Sequence, residues 1–97
     1  MNSIKIESEK VVEPYLKKKV EAMGGLCLKF TSPSYTGVPD RLVILPINVI
    51  FFVETKTTKK GLSPRQRLVK RLLESLGVKV YVADSKIVVD SILNLYK

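Results

Sequence analysis

Histidine is absent from this chain, and cysteine occurs once, as Cys27. These two shortages remove much of enzyme chemistry: no zinc finger, Ser/His/Asp triad, Cys/His nucleophile or histidine general acid can be assembled. A single thiol also excludes an intramolecular disulfide framework and suits a reducing cytosol, so a cytoplasmic location is expected. Long apolar runs are missing too. Nothing approaches the roughly 20 apolar residues needed to cross a bilayer, and the opening MNSIKIESEK has no apolar segment to act as a secretory signal, so no membrane partner is expected. Acidic residues are few, nine Asp and Glu against 17 Lys and Arg, a formal charge of +8. That excess predicts attraction to polyanions, with nucleic acid the first candidate. Any catalysis must rest on carboxylates, lysine, hydroxyls and a hard metal ion.

What remains is an ordinary globular composition, 45% apolar and 27% charged over 97 residues. That length fits one domain, 1–97, and leaves no room for two cores. Repeats and low-complexity stretches are lacking. From Glu13 to Met23 the apolar residues Leu16, Val20 and Met23 recur at helical spacing, and Gly24-Gly25 supplies a stop. Pro14 belongs in a first turn or at a kink, with Glu13 near the helix entrance. Leu26 to Thr31 reads as a short strand and Thr31 to Pro39 as a loop. Asp40 to Leu45 and Asn48 to Lys56, separated by Pro46-Ile47, predict an antiparallel hairpin. The second of these strands is apolar on both parities, which places it in the sheet centre with both faces covered.

Ser63-Pro64 reads as an N-cap followed by proline at the first helical position, opening a helix to about Leu76 that stops at Gly77. Val69, Leu72, Leu73 and Leu76 form its expected buried stripe, with Arg67, Lys70, Arg71 and Glu74 on the other side. Val78 to Ala83 is a further strand. A last helix, from about Ser85 to Leu95, offers Val88, Ile92 and Leu95 to the core. The order is α, β, β, β, α, β, α, an α/β fold.

The unusual residues are charges attached to apolar strands. Side chains at i and i+2 of a strand share a face, so Glu54 and Lys56 project together. Asp40 begins the preceding strand and, across a hairpin, approaches Glu54. Two carboxylates held close repel one another, and a divalent cation removes that repulsion. Glu13 lies on the buried stripe of the first helix, directed toward the sheet; Glu9, one turn earlier, is the alternative helical acid. Gln66, one turn into the later helix, is within reach of Lys56, a water or a phosphate. Lys56, Lys59, Lys60, Arg65, Arg67, Lys70 and Arg71 fall within sixteen residues free of Asp and Glu. Phosphate contacts are expected there, with the free amides at the Ser63 helix start and a loop tyrosine, Tyr35, beside them. Lys17, Lys18 and Lys19 read as a solvated helix face and are not assigned.

Pro39-Asp40, thirteen intervening residues and Glu54-Thr55-Lys56 resemble the PD-(D/E)xK nuclease motif, and the αβββαβ order followed by a C-terminal helix agrees with that superfamily's restriction-endonuclease-like core. The wording Gly37-Val38-Pro39-Asp40-Arg41, Phe52-Val53-Glu54-Thr55-Lys56 and Leu62-Ser63-Pro64-Arg65-Gln66, with Glu13 ahead of Gly24-Gly25, is similar to the VRR-Nuc family (virus-type replication-repair nuclease), in its stand-alone form from phage and bacterial genomes. The resemblance runs from about Glu13 to Asp84. It implies a mixed sheet flanked by helices and a Mg²⁺- or Mn²⁺-dependent endonuclease acting on branched DNA, with four-way junction cleavage in phage replication, repair or recombination.

Carried over by position, Asp40 and Glu54 would ligate the metal, Glu13 would complete the shell, and the carbonyl of Thr55 would add a backbone ligand. Lys56 would position or polarise the attacking water, with Gln66 as the family's helical glutamine. Thr55 stands where an apolar residue is common. Arg41, Lys59, Lys60, Ser63, Arg65, Arg67, Lys70 and Tyr35 are the expected DNA contacts. The resemblance also implies a homodimer, working in the host cytoplasm if phage-encoded; it names no pairing surface, and the last helix, with Ile92, Leu93 and Tyr96, is suggested as one. The alternative is a non-catalytic nucleic-acid-binding module that keeps the nuclease fold.

Overall fold

A computed structural model describes residues 8–56 and 61–97. Along the chain run α1 (Glu9–Ala22), β1 (Leu26–Lys29), β2 (Arg41–Leu45), β3 (Val49–Thr55), α2 (Pro64–Ser75), β4 (Val80–Ala83) and α3 (Lys86–Asn94), the expected order. The strands form one sheet in the order β1-β2-β3-β4. β1 pairs antiparallel with β2, and β2 with β3 as the predicted hairpin. β3 pairs parallel with β4, which requires a crossover, and α2 is that crossover. The hairpin turn is one residue longer than expected: Ile47 and Asn48 both adopt positive φ, so Asn48 belongs to the turn and β3 starts at Val49.

Alternation along β3 divides the protein into two faces. Phe51, Val53 and Thr55 point to one side, where they are almost fully buried. There they meet α1 through Val12, Leu16 and Val20, and α3 through Val89, Ile92 and Leu93. Tyr15 of α1 donates its hydroxyl to the Asp90 carboxylate of α3 at 2.8 Å, tying the two helices together. Cys27 packs into the same core as a small apolar group, and burial pushes its thiol pKa up. Gly25 is required beneath this layer. A Cβ there would lie 2.4 Å from the Ile44 carbonyl oxygen, so only glycine lets the chain leave α1 this close to β2.

α1 and α3 differ from their sequence reading in extent and in the face they bury. α1 begins at Glu9, earlier than expected, and Pro14 sits in its second turn. Proline there removes only the bond to the Lys10 carbonyl, close to a helix start where the Ser8 carbonyl accepts from both Val11 and Val12. Full burial of Val12, Leu16 and Val20 offsets that loss. In α3 the inner stripe is Val89, Ile92 and Leu93, whereas Leu95 is largely exposed and Val88 only partly buried. The suggested pairing surface of Ile92, Leu93 and Tyr96 is therefore spent on the protein's own core, where Tyr96 stacks on Phe51.

The other face of the sheet carries Phe52 and Glu54 and is covered only in part. α2 buries Val69 alone; Leu72 is 44% and Leu76 80% exposed, in contrast to the four-residue stripe expected. A cavity of about 220 Å³, walled by Phe30, Tyr35, Pro39, Phe52 and Leu73, separates the helix from the strands. Leu26, Leu28 and Ile50 on the same face are also exposed, so the double coverage expected for β3 does not extend to Ile50. Helical or strand period shows which side chains share a face but not whether a neighbour covers it.

Candidate active site

The acids converge where β2 begins and β3 ends. In the β2–β3 register Arg41 lies opposite Val53, which brings Asp40, one residue earlier, to the level of Glu54. Asp40 is held tightly. Its Oδ1 accepts from the Thr55 backbone amide at 2.8 Å, and its Oδ2 accepts from the Thr55 hydroxyl. Phe30 donates its amide to the Asp40 carbonyl at 2.8 Å, extending the β1–β2 pairing to this point.

Glu54 is 8% exposed, an ionisable group at the end of an apolar strand. Burial raises its pKa to about 7, and the negative charge of Asp40 pushes the same way; Lys56 and a hydrogen bond from the Asp40 backbone pull it down, but less. A carboxyl whose charge is so poorly compensated is a place where an added cation would be stabilising. Lys56 is half-buried beyond it, its backbone amide bonded to the Ala83 carbonyl at 2.9 Å.

Gln66 reaches Glu54 from α2, its Nε2 donating to Glu54 Oε2 at 3.4 Å. The same side chain closes a capping box. Gln66 Oε1 accepts from the Ser63 amide at 2.9 Å, while Ser63 Oγ accepts from the Gln66 amide at 3.1 Å. One residue thus fixes the helix start and touches the buried carboxyl. The Ser-x-x-Gln spacing was a readable signal for the cap; contact with Glu54 in place of Lys56 was not.

Glu13 approaches from α1. Its Oε1 is paired with the guanidinium of Arg41, and its Oε2 lies 3.4 Å from the Thr55 hydroxyl. Thr55 therefore stands between Asp40 and Glu13. Arg41, expected on DNA, is turned inward onto Glu13 with its side chain 16% exposed. Glu9, the alternative helical acid, is exposed, and lines with Glu13, Lys17 and Arg41 a hollow of about 470 Å³.

Basic residues of α2, the helix that brings Gln66 to the group, hold partners of their own. Arg65 donates through Nε to the Thr36 carbonyl at 3.0 Å and lies over the ring of Tyr35, 4.9 Å from its centre. Arg67 donates to the Leu62 carbonyl at 2.7 Å, and Lys70 pairs with Glu74 at 2.8 Å. Tyr35 is 44% exposed. Lys59 and Lys60 lie outside the described residues. Gly37 locks the loop to α2. It has φ +87°, and a Cβ there would meet Arg65 Cγ at 2.7 Å and the Arg65 carbonyl oxygen at 3.1 Å.

Asp40, Glu13, Glu54 and Gln66 are thus brought into one linked group with Thr55, while Lys56 joins it through its charge. Among the described residues no three carboxylates are gathered closely enough to cage a metal by themselves. The donor set is all oxygen and includes a carboxyl whose negative charge is disfavoured by burial and by Asp40, which fits a hard divalent ion that keeps part of its water shell.

The element order and the mixed sheet are those of a PD-(D/E)xK-type nuclease core. Similarity to known proteins agrees. No family model matches the chain. It is 42% identical over 78 residues to the protein named "Putative nuclease p44" of Acyrthosiphon pisum secondary endosymbiont phage 1, a match spanning 80% of this chain and 84% of the phage protein. A solved structure described as a VRR_NUC domain superposes with a TM-score of 0.85 at 37% identity, covering 92% of this chain and 97% of that one. The chain belongs to the VRR_NUC family of nucleases. Among the described residues no helix is long and apolar enough to cross a membrane.

Proposed function

We propose that the protein is a Mg²⁺- or Mn²⁺-dependent endonuclease that hydrolyses phosphodiesters in branched DNA, four-way junctions above all, as a homodimer serving phage replication, repair or recombination in the host cytoplasm. The observation that carries this reading is the buried Glu54 carboxyl, its pKa raised by burial and by Asp40 and touched by Gln66, with a lysine two residues further on, just past the strand end.

Asp40, Glu54 and the carbonyl of Thr55 would hold the ion, with Glu13 completing its shell directly or through water. When bound, a divalent ion lowers the pKa of coordinated water and offsets charge on the phosphoryl group. Lys56, projecting from the same face as Glu54, orients the attacking water and stabilises negative charge as it builds. Gln66 keeps the Glu54 carboxyl in one orientation while anchoring the first turn of α2. The free amides of that turn, with Ser63, Arg65, Arg67, Lys70 and the segment containing Lys59 and Lys60, supply phosphate contacts, and Tyr35 on its pinned loop borders the strand to be cut.

The homodimer part of the reading draws on the exposed apolar side chains Leu26, Leu28 and Ile50, since a 97-residue domain gains more than a large one from covering such a face. Incubation with labelled four-way junction, flap and linear duplex, with Mg²⁺, Mn²⁺ or EDTA, tests the whole. The expected result is symmetric incision of the junction that vanishes with EDTA and falls about a hundredfold or more in Lys56→Ala while junction binding persists. Binding without metal-dependent incision would leave a nucleic-acid-binding module that keeps the fold.

A further inference from the structure

The side chain of Thr55 has no assigned part in this scheme, which uses only its backbone carbonyl. It is nevertheless 2% exposed and polar, lodged between two acids that arrive from different elements. Its hydroxyl hydrogen-bonds Asp40 Oδ2 and faces Glu13 Oε2 at 3.4 Å, while its amide holds Asp40 Oδ1 at 2.8 Å. A hydroxyl has one proton to donate. Given to Asp40, it leaves an oxygen lone pair toward the facing Glu13 oxygen, and Glu13 is steadied from its other oxygen by Arg41. Asp40 is thus clamped at both oxygens by one residue, while Glu13 is anchored separately, through Arg41.

We propose that the Thr55 hydroxyl is a positioning group that fixes the Asp40 carboxylate in the orientation in which it takes up a divalent cation. The inference rests on the metal-dependent reading above. Thr55 acts through the acids and does not itself touch substrate. An apolar residue of similar volume at this position would fill the same space and leave Asp40 Oδ2 without its donor, so polarity, not volume, is what the position contributes here.

That distinction gives a test with opposite expectations for the two roles. Thr55→Val keeps the shape and loses the hydroxyl; Thr55→Ser keeps the hydroxyl and loses a methyl. Mn²⁺ binding to wild type and both variants is measured by titration calorimetry without DNA, with thermal melts to verify folding. Loss of a partner that orients a metal ligand commonly costs 10- to 100-fold in metal affinity, so Thr55→Val is expected to bind about tenfold or more weakly and Thr55→Ser within about threefold of wild type. Junction cleavage by Thr55→Val should need correspondingly more Mn²⁺ for half-maximal rate and then approach the wild-type plateau. If Thr55→Val does not fold, Thr55→Ala against Thr55→Ser poses the same contrast. Equal affinity in Val and wild type, or a loss in Ser as large as in Val, would overturn the proposal and leave Thr55 as packing. Failure of the wild-type protein to bind Mn²⁺ at all would instead remove the metal-dependent reading beneath it.

Discussion

The two faces of the sheet are built to different standards. On one side α1 and α3 seal Val43, Phe51 and Val53 to nearly complete burial, and even the polar Tyr15 is tied off by Asp90. On the other, α2 buries only its own Val69, stands over a cavity, and leaves Ile50, Leu72 and Leu76 in contact with solvent. Glu54 and Gln66 meet on this loosely covered side, whereas Glu13 comes from the sealed one and reaches Asp40 through Thr55. Rigidity and chemistry are thus divided between faces of one sheet, and Asp40 and Thr55, at its end, are where they join.

Adjacent residues of β3 give the largest expected contrast. Phe51→Ala, in the sealed face, should cost about 3 to 5 kcal/mol of unfolding free energy in urea titrations. Ile50→Ala, 58% exposed, should cost under about 1 kcal/mol. An Ile50 penalty as large as that of Phe51 would break the comparison, and a penalty that shrinks on dilution would mean that a second copy covers this face.

The pH response sharpens it next. Glu54 keeps its proton up to about 7 in the folded protein and releases it near the ordinary 4.5 when unfolded. Between those values the folded state binds more protons, so metal-free stability should fall as pH rises through that window, by no more than about 3 kcal/mol from this group. Glu54→Gln should flatten the slope between pH 5 and 8 in thermal melts. A slope unchanged by the substitution would place the titrating group elsewhere.

A smaller effect is expected at the helix cap. Ser63→Ala removes the acceptor for the Gln66 amide and should lower stability by about 1 kcal/mol. Because Gln66 also contacts Glu54, the same change should weaken cleavage severalfold; a stability loss with full activity would separate the cap from the site.

Much of this was legible in residue order. The hairpin, the Ser63-Pro64 helix start and the spacing from Asp40 to Glu54-Thr55-Lys56 are local patterns, each with its own physical cause. Coverage was not legible: Leu72 and Leu76 have the period of a buried stripe, but no local signal says that α2 stands off the sheet. The stripe of α3 was misplaced because Val88 and Val89 are adjacent and equally apolar, so only packing against α1 and β3 chooses between them. Nor does any local pattern announce that Arg41 faces Glu13, or that a hydroxyl at position 55 holds Asp40, since these pairs form only when distant segments meet.

Gly37 has a consequence for how such a gene can drift. The loop it belongs to leads directly into Asp40, and its contact with Arg65 has no space for even one added carbon. A larger residue there would strain the backbone and press the loop against α2 on the approach to Asp40, so an amino-acid change three residues before the acid should be felt at the acid itself.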